Sequence, residues 1–231
     1  MVMIAQRKWP WVAQQNWQDV LFVHTPVPSE TLRQYVPYPF EIDTYHGDAW
    51  VTVVLFEATH SRLRTMPERI AYPSFYQMNL RTYVQYGNER GVYFFSINVS
   101  DRMVQIGGRL ASLPFSKACM HIKKEGDTYR FSADHLFGRP YITFDVMYAP
   151  QSAVFTPEAG SLSHFLTERY CIWIHRHQKV LKAPIYHTHW DLQDAQMLNH
   201  ARAHLPFPMT HETIAHYARF KQAYIHPFEI Y

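Results

Sequence analysis

The stretch FYQMNLRTYVQYGNERGVYFFSINVS, residues 75–100, decides the fold. In its first half, Gln77, Asn79, Arg81 and Tyr83 fall on one face of an extended chain, and Met78, Leu80, Thr82 and Val84 on the other. GNERG at 87–91 reads as a turn. VYFFSINVS at 92–100, rich in β-branched and aromatic residues, reads as the partner strand. The segment predicts an antiparallel hairpin.

The flanking sequence repeats this pattern. DVLFVHT (19–25) reads as a buried strand, and EIDTYHGDAWVTVVLFEAT (41–59) as two strands joined at His46-Gly47-Asp48. Between them PSETLRQYVP (28–37) predicts a short helix with Ser29 as N-cap. Downstream, DRMVQIGGRLASL (101–113) predicts a helix capped by Asp101 and weakened at Gly107-Gly108. KACMHIKKEGDTYRFSA (117–133) predicts a second hairpin turning at Glu125-Gly126-Asp127. SLSHFLTERY (161–170) reads as a short helix starting at Ser161, followed by strands at 171–176 and 180–190. LQDAQMLNHARAHL (192–205) reads as a helix with Asp191 as its N-cap, and AYIHPFEIY (223–231) as a closing strand. There is no internal repeat and no linker, so residues 1–231 are expected to form a single domain. The fold class is α+β, mainly β: an antiparallel barrel or strongly curved sheet with a few short helices.

Composition narrows the function. Aromatic residues make up 16% of the chain, which suits strands with bulky, half-buried faces. A formal charge of +3, with Lys123-Lys124 the tightest basic pair, argues against nucleic acid as a partner. The start of the chain, MVMIAQRKWPWVAQQNW, has no unbroken apolar core of a leader peptide, and no run approaches the ~18 apolar residues of a membrane span. Cys119 and Cys171 lie in apolar strand-like runs and read as free buried thiols. The expected setting is cytoplasmic, with no membrane partner.

Fifteen histidines raise the question of a metal. The pairs His175/His177 and His187/His189 could each present two imidazoles on one face of a strand. Arg176, Gln178 and Lys179 around the first pair favour a solvated turn. HETIAH (211–216) spaces its histidines five apart rather than the four a helical zinc site needs, and His200 with His204 lacks an intervening glutamate. Phosphate loops, dinucleotide fingerprints and nucleophile elbows are not present in the sequence. The sequence therefore calls for no metal and no cofactor.

Four blocks in order, SFYQMNLRTYV (74–84), RGVYFFSINVS (90–100), FLTERY (165–170) and HWDLQDA (189–195), resemble the YqjF-like family of uncharacterised bacterial proteins, over roughly residues 17–200. A more distant resemblance, from Gln77 through Lys117, is to the acetoacetate decarboxylases. It implies a mostly antiparallel barrel around a closed hydrophobic pocket, with a lysine amine that forms an imine with a β-keto acid. That amine must be neutral near neutral pH, well below the ordinary lysine value of ~10.4. This chain departs from the pattern. Aligned from Gly108-Arg109, the imine position falls on Ser116, its neighbouring lysine on Lys117 and the acidic strand residue on Gln77; aligned on the proline, the two lysines fall on Phe115 and Ser116. A serine makes no imine, so the lysine mechanism is not expected.

The candidate site follows from these readings. Arg81, mid-strand among apolar residues, needs a partner; Glu168 is the expected one, and the alternative is a substrate carboxylate held by two hydrogen bonds. Gln77 and Asn79 share its face, with Tyr83 beyond. Lys117 reads either as a lysine at the barrel mouth with its stem packed, or as a pocket lysine binding a carboxylate or enolate. His189, with Trp190 beside it, is a candidate acid or base at the barrel mouth. The expected role is to bind a small, partly apolar organic acid or carbonyl compound, with Lys117 or His189 as acid/base. The rivals are a non-catalytic binding or sensor protein and an assembly protein whose barrel is filled by its own side chains. A homo-oligomer is compatible with aromatic-rich edges.

Overall fold

The computed structural model describes residues 10–135, 143–198, 202–207 and 212–231. Residues 1–9, His200 and His211, on which part of the leader and metal readings rested, lie outside the described residues. The elements in chain order are β1 (Ala13–Val27), α1 (Ser29–Arg33), β2 (Glu41–Ile42), β3 (Ala49–Leu63), β4 (Phe75–Tyr86), β5 (Glu89–Val99) and α2 (Arg102–Leu110). They continue with β6 (Phe115–Glu125), β7 (Thr128–His135), β8 (Thr143–Pro150), α3 (Leu162–Thr167), β9 (Cys171–Arg176) and β10 (Lys179–Tyr186). The last are β11 (Gln193–Met197), β12 (Arg202–His204), β13 (Ile214–Ile225) and β14 (Glu229–Ile230).

The hairpin β4–β5 is where the alternation of residues 75–100 placed it, closed at Gly87 with φ of +58°. From β5 the pairing runs through β6, β7, β8, β11, β13, β1 and β3 back to β4. A shorter route leads from β5 through β9 and β10 to β13. Only one residue pair, Val92–Ile172, joins β5 to β9, and two join β10 to β13. The sheet is therefore strongly curved and folded back on itself rather than a clean barrel. Most pairings are antiparallel; β6 and β9 each run parallel to β5.

Strands β13, β1, β3, β4 and β5 form a wall shared by both routes, and period-two alternation lets it bury both faces. Leu21, Val53, Leu55, Met78 and Leu80 face a core completed by Phe131, Phe144 and Tyr148. Phe22, Val54, Phe56, Tyr83 and Phe94 face a second core completed by Ile172, Ile174 and Trp190. The wall has three register shifts, one of them between Gln14 and Asn16, and the other two set the phase of the second core. The β1–β3 register shifts between Gln18 and Leu21, where Asp19 takes φ of +50°. The β4–β5 register slips after Leu80, leaving Phe95 as the extra residue, so Val92 and Phe94 before it and Ile97 and Val99 after it meet the same core.

The helices at 102–110 and 162–167 begin as expected: Asp101 accepts from the Val104 amide and Ser161 from that of His164. Four expectations change. Residues 192–205 contain no helix among the described positions; β11 and β12 pair with β8 instead, and Ala195 and Met197 pack on the first core. Leu, Gln, Ala and Met are good helix formers, and strand pairing overrides that preference. Asp191 consequently caps nothing and binds Lys221. Ser29 is the first residue of α1, with Pro28 in the cap position and no side-chain cap. The strands either side of His46-Gly47-Asp48 do not pair with each other, because β2 pairs with β4. Finally, Cys119 is exposed rather than buried, while Cys171 is buried; neither is in a disulfide. No helix among the described residues is long and apolar enough to cross a membrane.

Phe131 is fully buried at the centre of the first core. Phe131→Ala is expected to cost ~3–5 kcal/mol, lowering the calorimetric melting temperature by roughly 10 °C.

Candidate functional site

The second core is incompletely filled. It encloses a cavity of about 130 Å³. The bulges decide its lining: Gln15 and Trp17 before Asp19, and Val20 and Phe22 after it, all face the cavity. Phe56, Phe94 and Trp190 add to the apolar wall. Phe115 joins them where α2 packs on β6; a Cβ on Gly108 would sit 2.3 Å from its ring, so the helix can approach only with glycine there.

Strand β4 brings the polar groups. Gln77, Asn79 and Arg81 project side by side into the cavity, as their shared face requires. The Gln77 amide donates to Asn79 Oδ1 at 2.9 Å. Arg81 Nη2 donates to the Leu166 carbonyl at 3.2 Å, and Nε is buried with no hydrogen-bond partner among the described residues. The guanidinium carbon lies 5.8 Å from the ring centroids of both Phe22 and Tyr83. No described carboxylate lies within ion-pair distance of Arg81.

The expected Arg81–Glu168 pair is therefore not formed. The Glu168 carboxylate, 1% exposed, is taken up by the segment that follows β10. Oε1 accepts from the Trp190 amide at 2.9 Å, and Oε2 from the Tyr170 hydroxyl and from His189 Nδ1 at 3.2 Å. Trp190 Nε1 donates to the Thr167 carbonyl at 3.0 Å. Glu168 thus fixes Trp190 in the cavity wall, stacked on Trp17 and edge-on to Phe22. Arg169, the other arginine of the lining, has its own partner: Nη1 donates to Asp43 at 2.6 Å, both groups being buried.

His189 and His187 point to different places. His189 stands outside with half its side chain exposed. His187, which the sequence reading weighed only as a metal ligand, lines the cavity, 4% exposed, between Tyr170, Trp17 and Trp190. The segment leaves strand geometry after Tyr186, so alternation does not govern which imidazole turns inward. Among the described residues no three His, Cys, Asp or Glu side chains are grouped to hold a metal ion.

Lys117 donates to the Ser100 carbonyl and is absent from the cavity lining. Ser116 faces away, beside Asn98 of β5. Tyr83 lies beneath the cavity floor, its hydroxyl donating to the Leu166 carbonyl at 2.8 Å. Thr52 sits 2.6 Å from that hydroxyl, and His24 Nδ1 sits 2.8 Å from Thr52. Since Tyr83 gives its only proton to Leu166, Thr52 must donate to Tyr83 and His24 to Thr52. An outer cleft of about 590 Å³ shares only Arg169 and Cys171 with the cavity. Its Lys182 is paired with Glu89, which also accepts from Tyr231. Of the lysines and arginines lining these two spaces, Arg81 alone has no carboxylate partner among the described residues, and the candidate site is placed at the cavity.

The model of the DUF2071 family, described as an uncharacterised conserved protein, matches residues 14–220. The chain belongs to this family. It is 38% identical over 187 residues to the uncharacterised protein YqjF of Bacillus subtilis (strain 168), covering 80% of this chain and 77% of that protein. Solved structures with the same fold include the enduracididine biosynthesis enzyme MppR complexed with pyruvate (TM-score 0.66, 9% identity, 99% of this chain and 93% of that one). Another is acetoacetate decarboxylase from Legionella pneumophila (TM-score 0.63, 13% identity, 100% and 93%). A third is an acetoacetate decarboxylase-like enzyme from Sphingomonas wittichii RW1 (TM-score 0.64, 12% identity, 96% and 93%). At these identities the likeness is one of fold. Of the positions set against a lysine pair in the two alignments, Phe115 is in the cavity wall and Ser116 and Lys117 are not, and no lysine among the described residues lines the cavity.

Burial holds the pKa values of His24, His187 and His216 below the ordinary histidine value. In the unfolded chain these groups protonate near pH ~6.5. Below that pH the unfolded state binds protons that the fold refuses, so stability is full above it and falls as the pH drops. The urea midpoint is expected to decrease from pH 7.5 to pH 5.5, and less so in His24→Gln.

Proposed function

We propose that the cavity holds a small, partly apolar organic acid, its carboxylate against Arg81 and its carbon body against the aromatic wall. The observation that carries this reading is the cation itself. Arg81 is part-buried in the cavity lining beside Phe22 and Phe94, with its Nε wholly out of water, and a guanidinium that loses hydration in this way is usually paired. Arg81 has one carbonyl and an idle Nε, and among the described residues the cavity lining contains no Asp or Glu. A carboxylate would supply the missing acceptors, and a guanidinium fork suits it in geometry as well as charge.

A fold neighbour solved with pyruvate, a small oxo acid, agrees in ligand class. The chemistry need not carry over. Lys117 and His189, the acid/base candidates, both stand outside the cavity wall, and an imine needs an amine within it. The reading is thus a binding function that does not require turnover. The cavity also weighs against a barrel filled by its own side chains. The two thiols without a disulfide support a reducing, cytoplasmic setting.

Titration calorimetry with C3 to C6 monocarboxylates should find a ligand whose affinity falls ~10–100-fold in Arg81→Gln, the worth of a charge-assisted hydrogen-bond pair. Unchanged affinity in a folded Arg81→Gln would refute the assignment. Borohydride reduction with pyruvate or acetoacetate is expected to leave every lysine unmodified by peptide mass spectrometry; an adduct on Lys117 would restore imine chemistry.

A further inference from the structure

The cavity offers a second specific contact, and it lies on His187. Nδ1 of this imidazole is 2.8 Å from the Thr188 carbonyl. A carbonyl only accepts, so the ring proton is on Nδ1 and Nε2 carries a bare lone pair. The one hydrogen bond His187 makes among the described residues is at Nδ1, so Nε2 is open to the cavity that the residue, 4% exposed, helps to line. Its ring is held on three sides by Tyr170, Trp17 and Trp190, with centroids at 4.8, 6.2 and 5.1 Å. The cavity thus presents a fixed cation, Arg81, and a fixed neutral acceptor in one apolar enclosure.

From this pairing, and resting on the organic-acid reading above, we infer that the cavity selects hydroxy-monocarboxylic acids, the carboxylate bound by Arg81 and the hydroxyl donating to His187 Nε2. Elimination among small acids leads to the same class. An amino acid would bring an ammonium group beside Arg81 with no carboxylate in the lining to receive it. A dicarboxylate would press its second charge on a lone pair and aromatic faces. An oxo acid has no proton to give, and would set a carbonyl oxygen against a nitrogen lone pair. A hydroxyl supplies the donor without a second charge. Size sets the rest: about 130 Å³ is close to the cavity size of ~150 Å³ that takes benzene, so a body of roughly four to six carbons fits.

The test compares three acids of one carbon skeleton: 2-hydroxy-3-methylbutanoate, 2-oxo-3-methylbutanoate and 3-methylbutanoate. Calorimetry on the full chain is expected to show the hydroxy acid binding at least tenfold tighter than either other acid, with that preference lost in His187→Leu while 3-methylbutanoate still binds. In protein labelled with 15N-histidine, the His187 Nε2 resonance should move with the hydroxy acid and stay with 3-methylbutanoate, a readout that does not depend on the variant folding. Equal binding of the three acids, or a preference that survives in His187→Leu, overturns this inference and leaves the Arg81 reading standing. Binding of none of them to the wild-type chain, alongside failure of the wider carboxylate series, overturns both.

Discussion

The wall of β13, β1, β3, β4 and β5 has apolar side chains on both faces, and the rest of the fold is obliged to cover it twice. One cover, β6 to β8 with β11, fills its space with Phe131, Phe144 and Tyr148. The other, the β9–β10 hairpin with α3 and the segment through Trp190, leaves a gap. The asymmetry follows from side-chain size and phase. Where Asp19 and Phe95 break the alternation, extra side chains crowd one face and their packing cannot be regular. A cavity is the residue of that mismatch, and of the two arginines in its lining Arg81 is the one without a carboxylate partner among the described residues.

Partly burying a guanidinium without a carboxylate partner works against stability, and the surroundings of Arg81 show how it is tolerated. Phe22 and Tyr83 present ring faces, and the Leu166 carbonyl takes one donor. Glu168 could have neutralised it, but its oxygens are committed to Trp190, Tyr170 and His189. In this chain the carboxylate holds Trp190, and Arg81 has no carboxylate partner among the described residues.

How much of this was legible in the sequence depended on the range of the forces. Residues 75–100 alternate cleanly, so the hairpin and the row Gln77-Asn79-Arg81 could be read directly. Residues 193–197 also alternate, but helix-forming residue types mask it, and only pairing to Tyr148 and its neighbours reveals the strand. The partner of Glu168 lies 22 residues away at a backbone amide, a type of contact that no pattern of residue types announces. His187 and His189 are equivalent in sequence terms; the chain's departure from strand geometry after Tyr186 sends one inward and one out. The distant likeness to lysine enzymes gave the architecture, and the departures at Gln77, Ser116 and Phe115 told against carrying over the chemistry.

The seams that keep the sheet from being a clean barrel bear on how an enclosed cavity exchanges its contents. By strand pairing, the β9–β10 hairpin joins the wall through Val92–Ile172 on one side and Ile185–Ile225 with Tyr186–Tyr224 on the other. Val92, Ile172, Ile185 and Ile225 all line the cavity. Cooperative opening is easiest where the fewest backbone hydrogen bonds must break. By backbone pairing alone these are the thinnest seams of the sheet, but the hairpin is also held by Lys182 on Glu89 and by Trp173 and Val180 in a third core with Phe40 and Val84, so side-chain packing more than the ladder closes this side of the cavity.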